Sequence, residues 1–296
     1  MSISRQNLSI IIVTFKSDHV VHDCIKSINN QIKIIIVDNS NDQKFKENIE
    51  KKYKNVQCIL SKKNVGMGAG NNIGLNCIKT DYAFILNPDV ILENDTIDQI
   101  IYEIQKIDSF GIVAPISDKD NFPNYKFDKK KNHSFHSSKP FQVKSVDGYA
   151  MLLNLKRLNQ KKTFENLNFF DENFFMYLEN DDLCKRVIDN NENIYVVPQS
   201  KIKHLGAKAV DEKYNFEVEL SRNWHWIWSK FYFNKKHYGY FLALCEGLPS
   251  FFSSIIRFVF YLLINNSKKK LIYLHRLKGY LNALKGKKSW YRPTII

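Results

Sequence analysis

The chain has 296 residues, of which 44% are hydrophobic and 25% are charged. This balance is typical of a globular protein and excludes a disordered chain, a collagen-like fibre and a multi-span transporter. The formal net charge is +14. Most of the excess positive charge lies near the C-terminal end, because Glu246 is the last acidic residue and ten Lys or Arg residues follow it.

The five cysteines lie singly along the chain, with no CxxC pair and no spacing that would gather four ligands around zinc. We interpret them as reduced thiols. The first apolar run, residues 8–13, is too short for a signal peptide and has no small-residue cleavage site. The expectation is a cytoplasmic protein.

Short runs rich in β-branched residues alternate with helix-like segments over the first hundred residues. The runs are 10–13, 34–37, 56–60 and 82–86, and the segments between them are 18–30, 42–53 and 68–79. This alternation predicts an α/β fold with a mostly parallel sheet flanked by helices. Ligands of such sheets bind beyond the carboxyl ends of the strands, so the residues after each run are the first candidates for a site.

The pattern changes twice beyond residue 120. Residues 126–139 are basic and without apolar period, which predicts an exposed loop, whereas 143–154 and 194–197 resemble strands and 179–189 a helix. Long aromatic and basic helical patterns then occupy the rest of the chain. We therefore expect two domains, residues 1–208 and a helical, basic extension over residues 209–296.

Two helical patterns in the extension bear on membrane attachment. Ser253, Arg257, Tyr261 and Asn265 form a narrow polar stripe, and Leu274, Leu277, Leu281 and Leu284 form an apolar stripe flanked by basic residues. A basic amphipathic helix suits a surface of anionic lipid. Pro249 and Arg257 argue against a membrane span. A packed helical subdomain or an interface between two copies is the other interpretation.

Polar residues follow two of the predicted strands and a glycine-rich segment follows a third. Asp38 can accept hydrogen bonds from a ribose or a base, or it can form an Asx turn or helix cap. The segment 64–72 can bring backbone N–H groups close to a nucleotide, or it can be a structural turn. Its glycine spacing and its place after the third strand argue against a nicotinamide site.

Carboxylates and a histidine supply the other candidates. Asp89 can bind a divalent cation that also holds a diphosphate, or it can belong to a proline turn. Glu179, Asp181 and Asp182 begin a helix. Carboxylates at this position are either stabilised by the helix dipole as capping residues or serve as a base. His204 is either a metal or phosphate contact or a structural residue.

Seven motifs in chain order resemble those of family 2 glycosyltransferases, and most closely the rhamnosyltransferase-like branch of bacterial surface-polysaccharide assembly. The motifs lie at residues 10–15, 37–40, 64–72, 86–90, 146–153, 174–184 and 204–206. The likeness covers about residues 7 to 240. It implies a GT-A fold and a metal-dependent, inverting hexosyltransferase with a nucleotide-diphosphate sugar donor and Mg²⁺ or Mn²⁺.

The resemblance also implies roles for particular residues. The donor nucleotide would be bound by Thr14, Asp38, Asn64, Gly66, Gly70, Asn71 and Asn87, the metal by Asp89 and His204, and the sugar or acceptor by Asp147 and Gly148. Asn87 replaces the first carboxylate of the family's DxD-like element.

The candidate base departs from the family pattern. The family usually has Glu-Asp-x-Asp where this chain has residues 179–182, and its second position is often assigned as the base. Asn180 occupies that position and cannot accept a proton. Glu179 is therefore the first candidate, Asp182 the second and Asp181 the third. An inactive member of the family is the alternative.

The hypothesis is transfer of a sugar, with rhamnose as one candidate, to a lipid-linked or glycan acceptor by an enzyme attached peripherally to the inner membrane. Self-association through the C-terminal helices and a scaffold or polyanion-binding role are left open. A nucleotidyltransferase is disfavoured because no Gly-rich basic loop follows the first strand. A nucleic-acid partner is not expected, because Trp224, Trp228 and Phe231 share one helix face, which favours packing.

Overall fold

The computed structural model describes residues 3–119, 122–126, 138–164, 168–206 and 208–293. It divides into two compact units, Met1–Asp171 with Asn180–Asp211, and Glu172–Glu179 with Glu212–Ile296. The exposed loop predicted at 126–139 falls mostly outside the described residues. The functional division into residues 1–208 and 209–296 stays a prediction.

The first unit follows the predicted alternation of strands and helices closely. Its strands are β1 Leu8–Thr14, β2 Lys33–Asp38, β3 Val56–Leu60, β4 Tyr82–Leu86, β5 Val90–Leu92, β6 Ile112–Ser117, β7 Tyr125–Lys126, β8 Phe141–Gln142, β9 Ser145–Val146, β10 Ala150–Asn154 and β11 Ile194–His204. Its helices are α1 Asp18–Lys26, α2 Gln43–Lys52, α3 Met67–Leu75, α4 Thr96–Ile104, α5 Leu155–Leu158 and α6 Glu179–Asp189, which begins on the last residue of Glu172–Glu179.

The main sheet has the strand order β3-β2-β1-β4-β10-β6-β11-β5, with β8 beside β11, and β7 pairs with β9 in a separate ribbon. Pairing is parallel between β3, β2, β1 and β4, and again between β6 and β11. β10 runs antiparallel to both of its neighbours. The predicted α/β class is confirmed, and the parallel pairing that the first hundred residues indicate gives way to a mixed sheet beyond β4.

Successive residues of the central strands face opposite layers of the core. In β1, Ile10 and Ile12 pack with α1, α2 and α4, whereas Ile11 and Val13 pack with α3, α5 and α6. A strand covered on both faces needs a continuous apolar run, and β1, β2 and β4 all have one. The polar residues of these strands therefore lie at or near the strand ends.

Glycines let α3 approach β1 closely. A Cβ atom built on Gly74 would lie 2.5 Å from Ile11 Cγ2, and one built on Gly70 would lie 2.8 Å from Val13 Cγ1. These distances are shorter than any ordinary carbon contact. The glycine-rich segment that begins α3 thus has a packing function in addition to any role in ligand binding.

The predicted strand over 143–154 is wrong as a single element. It is interrupted at Asp147 and Gly148, because β9 pairs with β7 in the ribbon and β10 pairs with β4 and β6 in the main sheet. The chain must cross from one sheet to the other between them. Asn124 holds this crossing, donating from Nδ2 to the carbonyl of Ala150 at 2.9 Å.

The second unit contains the helices α7 Asn215–Tyr238, α8 Tyr240–Leu263 and α9 Ser267–Leu284. Its core is aromatic, with Trp224, Trp228, Phe231 and Tyr280 almost completely buried. Gly279 of α9 lies against the backbone of Trp224, where a Cβ atom would be 2.4 Å from the carbonyl oxygen. The predicted C-terminal helices and the packing role of the tryptophans are confirmed.

Candidate functional site

Thr14 and Asp38 end two adjacent parallel strands and lie opposite each other in the register of β1 and β2. The Thr14 hydroxyl donates to Asp38 Oδ1 at 2.9 Å, and the backbone N–H of Asp42 donates to Asp38 Oδ2 at 3.0 Å. Both Thr14 and Asp38 are buried. The carboxylate is thus fixed in orientation at the carboxyl edge of the sheet, where ligands of such sheets bind.

Asn39 ties this edge to the glycine-rich segment. Its backbone N–H donates to the Thr14 carbonyl at 2.8 Å, and its side-chain Nδ2 donates to the Gly66 carbonyl at 3.1 Å. Asn64 Oδ1 accepts from the N–H of Gly66, which adopts the left-handed φ of 91°. Sequence reasoning gave Asn39 no role of its own, although its place directly after Asp38 was a usable signal.

Two buried amides at this edge have an oxygen without a hydrogen-bond donor among the described residues, Asn71 Oδ1 and Asn87 Oδ1. The neighbouring Asn72 behaves differently, because its amide exchanges two hydrogen bonds with the backbone of Phe170, at 2.8 and 3.0 Å. Buried amide oxygens normally have a partner. Asn71 and Asn87 therefore have the unsatisfied polar atoms expected of residues that meet a ligand, whereas Asn72 is structural.

The structure brings Asp89 and His204 together. Asp89 follows β4 and His204 ends β11, and Asp89 Oδ1 lies 3.6 Å from His204 Nε2. Asp89 is only 2% exposed, and its Oδ1 has no hydrogen-bond donor among the described residues. Its Oδ2 accepts from the backbone N–H of Lys208 at 3.3 Å.

Two residues that sequence reasoning missed hold His204 in place. The Tyr149 ring stacks on the imidazole with 4.0 Å between ring centroids, and Asp118 Oδ1 accepts from the His204 backbone N–H at 3.2 Å. Burial, followed by the charge of Asp147, raises the pKa of Tyr149 well above its usual range. Tyr149 is therefore a neutral platform for the imidazole at every physiological pH.

The pair formed by Asp89 and His204 fits a hard divalent cation. A buried carboxylate oxygen without a donor and an imidazole nitrogen are both acceptable ligands of Mn²⁺, and a cation would satisfy the Asp89 oxygen. No cluster of three His, Cys, Asp or Glu side chains occurs in the part of the chain that the structure describes. Such a cation would complete its shell with water and with oxygens of a bound phosphate.

Asp147 and Gly148 lie in the crossing between β9 and β10. Burial raises the pKa of the Asp147 carboxyl, and the opposing charges of Lys126 and Asp181 act on it more weakly. A Cβ atom on Gly148 would lie 3.3 Å from Asn180 Cβ, so the glycine permits this close approach. Asn180 itself donates from Nδ2 to the Val146 carbonyl at 2.8 Å, which makes it a positioning residue for the crossing.

The two aspartates at the start of α6 are engaged by cations. Lys126 Nζ contacts both carboxylate oxygens of Asp181, at 2.6 and 2.8 Å, and the Ser145 hydroxyl donates to it as well. Asp182 is completely buried, and its Oδ2 accepts from Arg186 Nε at 2.8 Å. Both aspartates are thus held in ion pairs, and their order as candidate bases stays a prediction.

Glu179 ends the segment 172–179, which belongs to the second unit. Tyr177 and Leu178, the two residues before it, adopt left-handed φ angles of 70° and 66°. Such angles are costly for residues other than glycine and persist only where the surroundings impose them. Here the Ser229 hydroxyl donates to the Met176 carbonyl at 2.8 Å, and the Phe175 ring lies 4.6 Å from the His225 ring.

His225 of α7 is a neutral anchor for this unit. Burial lowers its pKa to about 3, so the imidazole carries no charge at neutral pH. Its Nε2 lies 2.8 Å from the Tyr291 carbonyl and must donate to it, which leaves Nδ1 to accept from the Ser289 hydroxyl at 3.0 Å. The segment that leads to Glu179 therefore packs against a rigid, hydrogen-bonded helix.

A comparison with protein families gives the class. The model of the family described as glycosyl transferase family 2 matches residues 9–182, which include every candidate residue except His204. The chain belongs to glycosyl transferase family 2, and the family resemblance of its motifs is thereby confirmed.

Individual relatives agree with this assignment. The chain is 26% identical over 204 residues to the low-salt glycan biosynthesis hexosyltransferase Agl10 of Haloferax volcanii, and the match spans 64% of each chain. The chain thus covers slightly less than two thirds of the length of that relative.

Solved structures share the fold at low sequence identity. A mannosyltransferase, PcManGT from Pyrobaculum calidifontis, in complex with GDP-Man and Mn²⁺, is 10% identical with a TM-score of 0.56, over 96% of this chain and 89% of that one. GalNAc-T7 with UDP, GalNAc and Mn²⁺ is 15% identical with a TM-score of 0.53, over 74% of this chain and 50% of that one. The predicted GT-A architecture is confirmed.

Removal of the Thr14 hydroxyl tests the link between β1 and β2. Thr14→Val keeps the shape of the side chain and leaves a buried Asp38 oxygen without its donor. We expect the free energy of unfolding to fall by about 1–3 kcal/mol, measured by urea denaturation. Thr163→Val is the control, because the Thr163 hydroxyl donates to Asn190 on the exposed surface, and it should cost less than about 0.5 kcal/mol. An equal loss of unfolding free energy in the two variants would contradict a stabilising hydrogen bond between Thr14 and Asp38.

Proposed function

We propose that this protein transfers a hexose from a nucleotide-diphosphate donor to a hydroxyl group of a lipid-linked or glycan acceptor, with inversion at the anomeric carbon. The observation that carries the proposal is the carboxyl edge of the sheet, where Thr14 and Asp38 end the neighbouring strands β1 and β2, and Asp89, which follows β4, lies beside His204. The family assignment and the hexosyltransferase relative support it. Rhamnose as the sugar, and cell-surface polysaccharide as the product, stay predictions.

The donor site would use the polar side chains at this edge of the sheet. Asp38 would accept from the ribose or the base, and Thr14 fixes its orientation. The segment 64–71 and Asn87 would line the rest of the nucleotide pocket. Asp89 and His204 would hold Mg²⁺ or Mn²⁺, as the Mn²⁺ bound to the two structural neighbours suggests. The cation would supply positive charge for the diphosphate leaving group.

Glu179 is the proposed general base. An acceptor hydroxyl has a pKa far above 7 and needs a base as it attacks the sugar. Asp182 and Asp181, which form ion pairs with Arg186 and Lys126, are the second and third candidates. The start of α6 supports an ionised carboxylate there, because the helix dipole places positive charge at its N-terminus. Asp147 and Gly148 would then face the sugar or the acceptor.

The rate of nucleoside diphosphate release tests both the proposed sugar transfer and Glu179 as its general base. We expect the wild type to release nucleoside diphosphate from one class among UDP-, GDP- and dTDP-hexoses in the presence of Mn²⁺, and Glu179→Gln to lower the rate by about 100-fold or more. Glu172→Gln is the matched control, an exposed glutamate of the same segment, and should keep the wild-type rate. Full activity of Glu179→Gln would exclude it as the base. No release from any donor by the wild type would favour a catalytically inactive scaffold.

Membrane attachment is the second part of the proposal, and the exposed side of α8 carries it. The outer face of α8 consists of Phe241, Phe252, Ile256, Val259, Phe260 and Leu263, which are 45–79% exposed. Monomeric soluble proteins rarely leave so many large apolar side chains together in water. Lys268, Lys269 and Lys270 begin the next helix, where they could meet anionic lipid headgroups.

The packing of α8 favours a helix that lies on the membrane. α8 is long and apolar enough to cross one, but its inner face packs on the other two helices of the unit. Gly247 lies against Tyr280 of α9, and Arg257 donates to the Tyr273 hydroxyl at 2.8 Å. A span would draw the basic helix α9 into the hydrocarbon, which is costly. The exposed apolar face lies on α8 and not on the predicted leucine stripe of α9, whose leucines are mostly half-buried.

Vesicle flotation tests the attachment. Phe252→Glu combined with Ile256→Glu places two carboxylates on the outer face of α8, and we expect binding to phosphatidylglycerol vesicles to fall at least about tenfold. Tyr102→Glu with Phe122→Glu is the control, because these two side chains of the first unit are 60% and 66% exposed, close to the 57% and 69% of Phe252 and Ile256. Unchanged flotation of the α8 variant would instead favour a packed helical subdomain.

A further inference from the structure

A small pocket in the second unit lies outside the residues assigned to sugar transfer. Its volume is about 80 Å³, and Asn173, Trp228, Tyr232, Lys235, Lys287 and Lys288 are among the residues that line it. A cavity needs about 10–15 Å³ of this kind of space to hold one water molecule, so the pocket has room for a phosphate-sized group. We call it the lysine pocket.

Aromatic rings and hydrogen bonds give the lysine pocket a fixed wall. The Trp228 and Tyr232 rings stack with 5.0 Å between centroids, and Asn173 Nδ2 donates to the Tyr232 hydroxyl at 3.1 Å. Trp228 Nε1 donates to the Lys287 carbonyl at 3.0 Å, which fixes the backbone that carries Lys287 and Lys288. The pocket is therefore built into the helical unit and does not depend on exposed side chains alone.

The lysine pocket has three lysines in its lining. In the described part of the chain, no carboxylate lies within ion-pair distance of Lys235, Lys287 or Lys288, whereas the nearby Lys230 has Glu246 at 3.9 Å. No acidic residue follows Glu246 in the sequence. Lysines that line a concave surface concentrate positive potential there, and an anion is the ligand that such a potential attracts.

The position of the lysine pocket points to the source of that anion. Lys235 Nζ lies 5.8 Å from the centroid of the Tyr240 ring, and Tyr240 is the first residue of α8. Phe241, the next residue, is 79% exposed and opens the outer face of α8. The pocket thus adjoins the apolar surface that we assign to the membrane, so an anion bound there would lie at the depth of lipid phosphates.

Asn173 connects the lysine pocket with the segment that ends at Glu179. The two positions are six residues apart in the sequence, and an extended chain of that length spans at most about 22 Å. A phosphate or diphosphate that joins a sugar to a lipid lies within that range of the sugar hydroxyls. The pocket is therefore within reach of an acceptor whose hydroxyl approaches Glu179.

We propose that the lysine pocket binds the phosphate or diphosphate of a lipid-linked acceptor. This inference rests on the proposed sugar transfer, and it narrows the acceptor to one with a phosphorylated lipid carrier. Lys235, Lys287 and Lys288 would contact the phosphate oxygens, while the lipid chain would continue along the outer face of α8. Anionic bilayer lipid in general would be bound by other lysines, in particular those at the start of α9.

Two sets of vesicles test the proposal with the full chain. One set contains a polyprenyl phosphate in neutral phosphatidylcholine, and the other contains phosphatidylglycerol at the same surface charge. We expect the wild type to bind the first set about tenfold more tightly. Substituting Gln at Lys235, Lys287 and Lys288 should abolish this preference, and substituting Arg at the same positions should preserve it, because Arg also binds phosphate.

The control variant replaces Lys268, Lys269 and Lys270 with Gln, which removes the same number of charges from the start of α9. It should bind phosphatidylglycerol vesicles more weakly and keep the preference for polyprenyl phosphate. The proposal is overturned if both Gln variants lose the same binding to both vesicle sets, or if the wild type shows no preference. Equally tight binding of free pyrophosphate, measured by calorimetry, would assign the pocket to a soluble anion and overturn the lipid source.

The vesicle experiment does not depend on turnover. A failure of sugar transfer would appear as absent nucleoside diphosphate release by the wild type, whatever the vesicles show. A failure of the lysine pocket would appear in the vesicles while that release persists. Thermal unfolding of the three triple variants shows that they are folded, since the substituted lysines are exposed or half-buried.

Discussion

The parallel register of β1 with β2 and β4 is the constraint on which the candidate site depends. Ile12 of β1 lies opposite Ile36 on one side and Leu86 on the other, so all three strands end at the same edge. Their cores are apolar on both faces, which leaves polar side chains only where the strands stop. Thr14, Asp38 and Asp89 are brought to one edge for this reason. The chemistry that we propose follows from where the apolar runs end.

Rigidity at the site comes from polar and aromatic contacts between distant parts of the chain. Lys126 holds Asp181, Tyr149 supports His204, and Asn72 fixes Phe170. Each contact occupies a group that could otherwise rearrange, so the remaining oxygens of Asp89, Asn71 and Asn87 face a site of fixed shape. In the second unit, the buried and neutral His225 serves the same purpose for the segment that carries Glu179.

The sequence predicted the first four strands, the helices between them and the aromatic face of α7, because strong apolar periodicity decides these elements. It also predicted that Asp38 and Asp89 lie at the carboxyl ends of strands. It did not reveal the break at Asp147, since that break depends on which strands pair with β9 and β10. The supporting residues Tyr149 and Asp118 were missed for the same reason. Contacts between residues far apart in the chain leave no periodic signal in the sequence. The exposed apolar face of α8 leaves none either, because it is exposed only since the opposite side of the helix packs on α7 and α9.

The central claim is that the edge formed by β1, β2 and β4 binds a metal–nucleoside diphosphate complex. Isothermal titration calorimetry of UDP, GDP and dTDP with and without Mn²⁺ tests it most directly, with wild type, Asp89→Asn and the exposed control Asp108→Asn. The account predicts that one nucleotide binds the wild type and the control far more tightly with Mn²⁺, and that Asp89→Asn loses this dependence. Binding that ignores Mn²⁺, or an equal metal effect in Asp89→Asn, would contradict it.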